Sequence, residues 1–301
     1  MELFEEKDIV RICAPMVRYS KQAFRHLVRR YSCDLAYTPM IISESFVKSK
    51  HARDVDFTTN PKDRPLVVQF AANNGKDLAD ATELIQPYAD AVGLNCGCPQ
   101  RWAMAEGYGA HLIKHPEMIK DMILQTKQRV GSSFPCEIKI RIHKDIRKTV
   151  DMCQQAEHTG VAWITVHGRT ITQRKEAVDY EALRIIKDSV QIPVVANGDI
   201  KNEMDVVKVK ELTNVDGVMA AQGMLNNPAM YAGYDVTPVQ CIKDWLDISM
   251  SIGTSFSTFH HHLIYMTEKW HTKPERLLFN NLSSHTAVLE FLQENYDITS
   301  T

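Results

Sequence analysis

Eight short apolar segments, each followed by a stretch of different periodicity, constrain this 301-residue chain more than any other feature. They are "IVRICAP" (9–15), "DLAYTPM" (34–40), "PLVVQFA" (65–71), "AVGLNCG" (91–97), "EIKIRI" (137–142), "WITVHG" (163–168), "PVVANGD" (193–199) and "GVMAAQG" (217–223). Most carry the β-branched or aromatic residues that suit a strand. Between them the spacing turns helical. Phe24, Leu27, Val28 and Tyr31 recur at i, i+3, i+4 and i+7 behind Ser20, a predicted cap. Ile119, Met122, Ile123 and Val130 share one side of a helix that Pro116 opens, and Ile146, Val150, Cys153 and Ala156 do so ahead of Gly160. The linker at 43–64 is the least regular, and a functional loop is expected there. Eightfold strand–helix alternation predicts an α/β fold, a (β/α)8 TIM barrel. A doubly wound open sheet fits less well: the count is eight, the chain is long, and no G-x-G-x-x-G follows the first segment.

From about residue 238 no strand-like run remains. Residues 238–301 predict a small C-terminal all-α helical domain behind a barrel domain of residues 1–237. Trp245, Ile248, Ile252, Leu277, Leu278, Leu282 and Leu289 are its expected inner faces.

The formal net charge of −2 gives no overall pull towards nucleic acid or anionic membrane, so any polyanion-binding surface must be local. No apolar run approaches the length of a membrane span, and the start, "MELFEEKDIV", lacks a signal-peptide core. Seven scattered cysteines, an odd number, do not suggest a disulfide framework. A cytoplasmic protein, monomeric and without a membrane partner, is expected.

In such a barrel the active site lies at the C-terminal ends of the strands. Those ends read Pro15-Met16, Pro39-Met40, Gln69, Asn95 with Cys98, Lys139 with Arg141, His167 with Arg169, Asn197-Gly198-Asp199 and Gln222-Gly223. The last two follow the seventh and eighth segments, where barrels commonly hold a phosphate on backbone N–H groups. Lys139 alternates with Ile138, Ile140 and Ile142; if the isoleucines face the helices, Lys139 and Arg141 point inward. A lysine there needs an anionic partner: a neighbouring carboxylate, a cofactor anion, or the alternative of a Schiff base.

Two thiols stand one residue apart in "NCGCP". C-x-C without a second pair is a poor zinc site, and a redox pair prefers C-x-x-C. One thiol is therefore expected to be catalytic and its neighbour a packing residue. Cys98, locked between Gly97 and Pro99 in a loop beyond the strand, is the catalytic candidate, with Cys96 structural. A thiol ordinarily titrates near 8.5, so at neutral pH it holds its proton and can act as a general acid. The other five cysteines read as buried small hydrophobes.

Taken together, "CAPMVRYS", "YTPMI", "VVQFA", "LNCGCPQRWAMAEGYGAHL", "IKIRI", "ITVHGRT", "VANGDI" and "GVMAAQGMLNNPAM" resemble the flavin-dependent tRNA-dihydrouridine synthase family. The match is nearest to the eukaryotic branch acting on D-loop uridines 20a/20b. The motifs keep the family's order from residue 12 to 230, and the cysteine-loop motif is the most specific of them. The resemblance implies FMN as cofactor, NADPH or NADH as reductant, and tRNA as substrate. It implies that Pro15, Met16 and Val17 line the isoalloxazine and that Gln69 bonds its pyrimidine edge. Lys139 would stabilise charge near N1 and O2, His167 would add a contact, and Asn197, Gly198, Asp199, Ala221 and Gln222 would hold the phosphate. Cys98 would protonate C5 of uracil, with Asn95, Arg141 and Arg169 at the substrate. One position departs: the family usually has arginine where this chain has Gln222, which removes a charge-assisted contact and predicts weaker FMN binding.

Local positive charge for tRNA is expected from Arg18, Lys21, Arg25, Arg29 and Arg30 around the first helix, and from Lys48, Lys50, His51 and Arg53 after the second segment. Arg101, Arg147, Lys148, Arg174 and Lys175 add to it on other loops. The tail fits poorly by charge, with four basic residues against seven acids. "HHH" at 260–262 is not expected to bind metal, because consecutive helical residues point about 100° apart. The competing readings are a flavin barrel acting on a free small molecule, a flavin-free aldolase using Lys139, and a silent RNA-binding protein.

Overall fold

All eight segments form strands, and they close into one parallel barrel. The structure is a computed structural model that describes residues 2–299, so the outermost residues of both expected domains lie outside it. The strands are β1 (Val10–Cys13), β2 (Leu35–Tyr37), β3 (Ile41–Ile42), β4 (Leu66–Ala71), β5 (Ala91–Cys96), β6 (Cys136–Arg141), β7 (Trp163–His167), β8 (Val194–Asn197) and β9 (Gly217–Ala220). The order β2-β1-β9-β8-β7-β6-β5-β4 closes because β2 also pairs with β4; β3 is a two-residue extension along β4. It escaped the sequence reading because "II" continues the second segment past Pro39. Strands buried on both faces read as near-continuous apolar runs, and β4 and β5 are buried at all six positions.

The helices follow the predicted spacing with local exceptions. Pro116 opens Pro116–Val130, and Gly160, at φ +85°, lies just past Ile146–His158. Ser20 is not a cap: the first barrel helix, Gln22–Arg29, begins after Lys21, and the Ser20 hydroxyl instead accepts from the Met16 N–H at 2.9 Å. The "irregular" linker contains two short helices, Ser43–Lys48 and Lys50–Asp56. Its second half holds Asp63, fully buried against Arg25 (2.6 Å) and Arg29 (3.4 Å).

After β9, among the described residues, only helices follow, the last four being Val239–Ile252, Phe256–Thr267, Lys273–Asn280 and His285–Tyr296. Trp245 and Ile248 are buried as expected, but Leu277 and Leu278 are 69% and 58% exposed, and Ile252 is also exposed. On Lys273–Asn280 the core contact comes from Phe279, packed edge-on or tilted against His260, His271 and Phe291, so the helix turns its leucines outward. Two of the three consecutive histidines take separate partners: His260 Nε2 meets the Phe279 carbonyl (2.9 Å) and His262 Nε2 the Tyr19 carbonyl (3.1 Å). No described helix is long and apolar enough to cross a membrane.

Candidate active site at the barrel mouth

The cysteine turn is held by one side chain. Asn95, at the end of β5, accepts the N–H groups of Gly97 (3.1 Å) and Cys98 (2.9 Å) on Oδ1 and donates from Nδ2 to Gln69 Oε1 (2.8 Å). The turn is anchored from outside as well, since Ala110 donates its N–H to the Cys98 carbonyl at 2.9 Å. Cys98 emerges half-buried beside Met40 and Tyr108, while Cys96 is fully buried and burial pushes its thiol well up. Of two neighbouring thiols, then, only one is open to chemistry. The remaining five cysteines are buried and unbridged.

Alternation along β6 sends Glu137, Lys139 and Arg141 inward and Ile138 and Ile140 towards the helices. In register, Lys139 lies opposite Asn95 on β5, and Arg141 opposite His167 on β7, itself opposite Asn197 on β8. Lys139 Nζ donates to Asn197 Oδ1 (2.8 Å), and Asn197 Nδ2 to the Met219 carbonyl (2.8 Å). Arg141 donates to the Gly97 carbonyl (3.1 Å) and the Thr170 carbonyl (2.9 Å), tying the cysteine turn to the loop after β7. Cys98, Lys139 and Asn197 therefore share one rim.

Desolvation, aided by repulsion from Arg141, pushes the Lys139 ammonium down to about 8, against the pull of Glu137 and Cys98. Desolvation and then the cations Lys139, Arg141 and Arg169 push His167 down to about 2, so its imidazole is neutral. Glu137 was missed in the sequence. It is fully buried on the barrel axis, and neither oxygen has a hydrogen-bond partner among the described residues. Desolvation pushes its carboxyl up to about 8, outweighing Lys139 and the nearby Tyr37 and Thr165 hydroxyls.

Beyond β8 and β9 opens a cleft of about 380 Å³, lined by His167, Arg169, Asn197, Gly198, Asp199, Ala221 and Gln222, with Arg174, Lys175 and Lys201. Gly198 adopts φ +121°, and a Cβ there would stand 2.7 Å from Val178 Cγ2, so only glycine makes this turn. The Asp199 carboxylate does not face an anion; it accepts from Arg169, whose Nε is bound to the Glu176 carbonyl. Arg169 is therefore bound to the turn after β8, while Arg141 links the neighbouring Thr170 carbonyl to the cysteine turn. The Gln222 amide turns along its own short helix, Gln222–Asn226, to Asn226 Oδ1 (2.7 Å).

Next to β9, the neighbouring strand β1 continues into Pro15, which is half-buried, Met16, buried, and Val17, 55% exposed. Gln69 Nε2 is buried without a partner among the described residues. An orphaned amide donor near the barrel axis suits a ring carbonyl, and glycine turns with uncommitted cations suit a phosphate, so the residues fit FMN. Of the expected basic surface, Arg25 and Arg29 are tied to Asp63, Arg30 to Asp244, Lys48 to Glu44, Arg147 to Asp145, and Arg53 to the Phe46 and Val47 carbonyls. Arg18, Lys21, Lys50 and Arg101 remain exposed.

Comparison with known proteins fits this geometry. The sequence profile of the family described as dihydrouridine synthase matches residues 12–292. A mouse protein named tRNA-dihydrouridine(20a/20b) synthase [NAD(P)+]-like is 56% identical over 297 residues, covering 98% of this chain and 92% of the mouse protein. The human protein of the same name is 54% identical, covering 99% and 94%. A Schizosaccharomyces pombe tRNA-dihydrouridine(20a/20b) synthase [NAD(P)+] is 43% identical, covering 98% and 90%. The chain belongs to the dihydrouridine synthase family. Enzymes of this family are oxidoreductases that depend on FMN and use NAD(P)H.

Proposed function

We propose that the protein reduces the C5–C6 double bond of uridines 20a and 20b in the D-loop of tRNA, in the cytoplasm and as a monomer. The positions rest on the names of the mouse, human and fission-yeast relatives. Residues 1–237 form the catalytic unit in this reading, and the helices of 238–301 contact the RNA by shape and a few cations rather than by net charge.

Bound FMN, reduced by NADPH or NADH, supplies the hydride for C6 of an extruded uracil; extrusion costs a few kcal/mol. Cys98 gives its Sγ proton to C5. Arg141 holds the cysteine turn through the Gly97 carbonyl, and Lys139 stands on the same rim, bonded to Asn197. Asn95 fixes the cysteine turn, and its second amide hydrogen is available to the base. Pro15, Met16 and Val17 border the ring site and Gln69 donates to it. Neutral His167 offers a ring nitrogen without adding charge. Asn197, Gly198, Asp199 and Ala221 bind the phosphate through their backbone, and Arg169 braces that turn through Asp199.

The observation that carries this reading is a single half-exposed thiol on the rim that also bears Lys139 and Asn197. The test is dihydrouridine mapping on tRNA lacking the modification, incubated with the purified protein and NADPH. Dihydrouridine at 20a and 20b is expected. Modification elsewhere would overturn the position, and reduction of free uracil without tRNA would overturn the substrate.

A further inference from the structure

The cleft beyond β8 and β9 is shaped for a phosphate, yet the residue that would carry its charge is neutral and engaged elsewhere, in the Gln222–Asn226 bond of 2.7 Å. Arg169 does not replace it, because its guanidinium is taken up by the Asp199 carboxylate and the Glu176 carbonyl. The two phosphate turns are locked together backbone to backbone. A Cβ on Gly223 would stand 2.3 Å from the Ile200 carbonyl oxygen and 2.9 Å from Lys201 Cα, an approach only glycine allows. That contact sets Lys201 directly beside the start of the helix Gln222–Asn226. The Lys201 backbone is pinned by its N–H bond to Asp205 Oδ2 at 2.8 Å. Its exposed side chain lines the cleft, and its ammonium has no hydrogen-bond or ion-pair partner among the described residues.

We infer that Lys201 supplies the cationic contact to the FMN phosphate that residue 222 does not. An ammonium on a four-carbon stem suits this position, since it needs a point charge within reach rather than a fixed fork. Arg174 and Lys175 also line the cleft, but they sit on the loop at 170–179, and both backbone N–H groups are drawn to the Glu176 carboxylate, which offsets part of their charge. The inference rests on the reading of this cleft as the FMN phosphate site.

Binding of FMN and of riboflavin to the apoprotein, followed by quenching of flavin fluorescence, isolates the phosphate. Wild type is expected to prefer FMN. Lys201→Ala is expected to weaken FMN binding by about 10-fold or more, the range of a charge-assisted contact, and to leave riboflavin binding within about twofold. Adding Gln222→Arg to Lys201→Ala is expected to restore FMN binding. Equal affinity of wild type for the two flavins would sink the phosphate reading itself. A wild type that prefers FMN, with Lys201→Ala unchanged or weakened equally for both flavins, would sink the role of Lys201 alone. Loss of the preference in an Arg174→Ala/Lys175→Ala variant, with Lys201→Ala unaffected, would move the contact to that loop.

Discussion

Replacing Glu137 by glutamine removes a titratable proton while keeping the shape of a side chain packed so close to β5 that a Cβ on Gly93 would lie 2.4 Å from Glu137 Oε1. The carboxyl titrates at about 8 in the folded protein against an ordinary 4.5. An acid whose folded value is raised favours the unfolded chain once pH exceeds its unfolded value, because only the unfolded chain can release the proton. Wild type therefore loses stability between about 4.5 and 8, and the glutamine variant does not. At about 1.4 kcal/mol per pH unit, the variant should gain about 3 kcal/mol on wild type between roughly pH 5 and pH 7.5. In wild type Lys139 acts above this window. Its folded value is lowered to about 8, so its effect is a gain in stability as pH rises from about 8 towards 10.5. Urea unfolding of both apoproteins across this range measures the difference. A gap that stays flat with pH would refute a neutral Glu137 in the fold.

Cys98→Ala should keep bound FMN and its reduction by NADPH yet form no dihydrouridine; normal turnover on tRNA would remove Cys98 as the proton donor. Asn95→Ala frees the N–H groups of Gly97 and Cys98, so turnover should fall about 10- to 100-fold with FMN content unchanged. Turnover within twofold of wild type would show that the turn holds itself. Asp63→Ala leaves Arg25, 1% exposed, without its carboxylate and should destabilise the protein by about 3–5 kcal/mol in chemical denaturation. A loss below about 1 kcal/mol would show that the Ser20 and Thr58 carbonyls alone satisfy the guanidinium.

How far the sequence could be read depended on the kind of constraint each residue was under. A closed parallel barrel buries both faces of every strand, so a charge inside an apolar strand has only the axis or the mouth to occupy. Alternation with Ile138, Ile140 and Ile142 points Lys139 and Arg141 inward, and the bonds to Asn197 and to the Gly97 carbonyl are what such a placement produces. Glu137 has the same parity in the same strand and was legible by the same rule. It lies at the start of the strand, away from the C-terminal ends where a barrel carries its chemistry. Helix charges carry no comparable constraint. Arg25 and Arg29 read as a basic surface because their partner, Asp63, lies more than thirty residues away in a stretch that looked like loop. Leu277 and Leu278 misled in the opposite sense: a short helix needs only one good anchor, and Phe279 provides it.

Gln222 shows the remaining limit. A motif comparison registers the missing arginine and predicts weaker FMN binding, because it treats each position as though it acted alone. A phosphate bound as proposed would respond to the summed charge of the whole cleft, to which residues from β7, β8 and β9 contribute together. Gly223 brings the Lys201 backbone beside the start of the helix that carries residue 222, and both residues line the same cleft. With Lys201 in the role inferred above, the substitution would relocate charge rather than lose it. It follows that Gln222→Arg in an otherwise wild-type background should improve FMN affinity by less than about threefold, since a second cation beside Lys201 adds repulsion along with attraction. A gain of tenfold or more would mean that Lys201 leaves the phosphate under-neutralised and that the motif alone gave the better account.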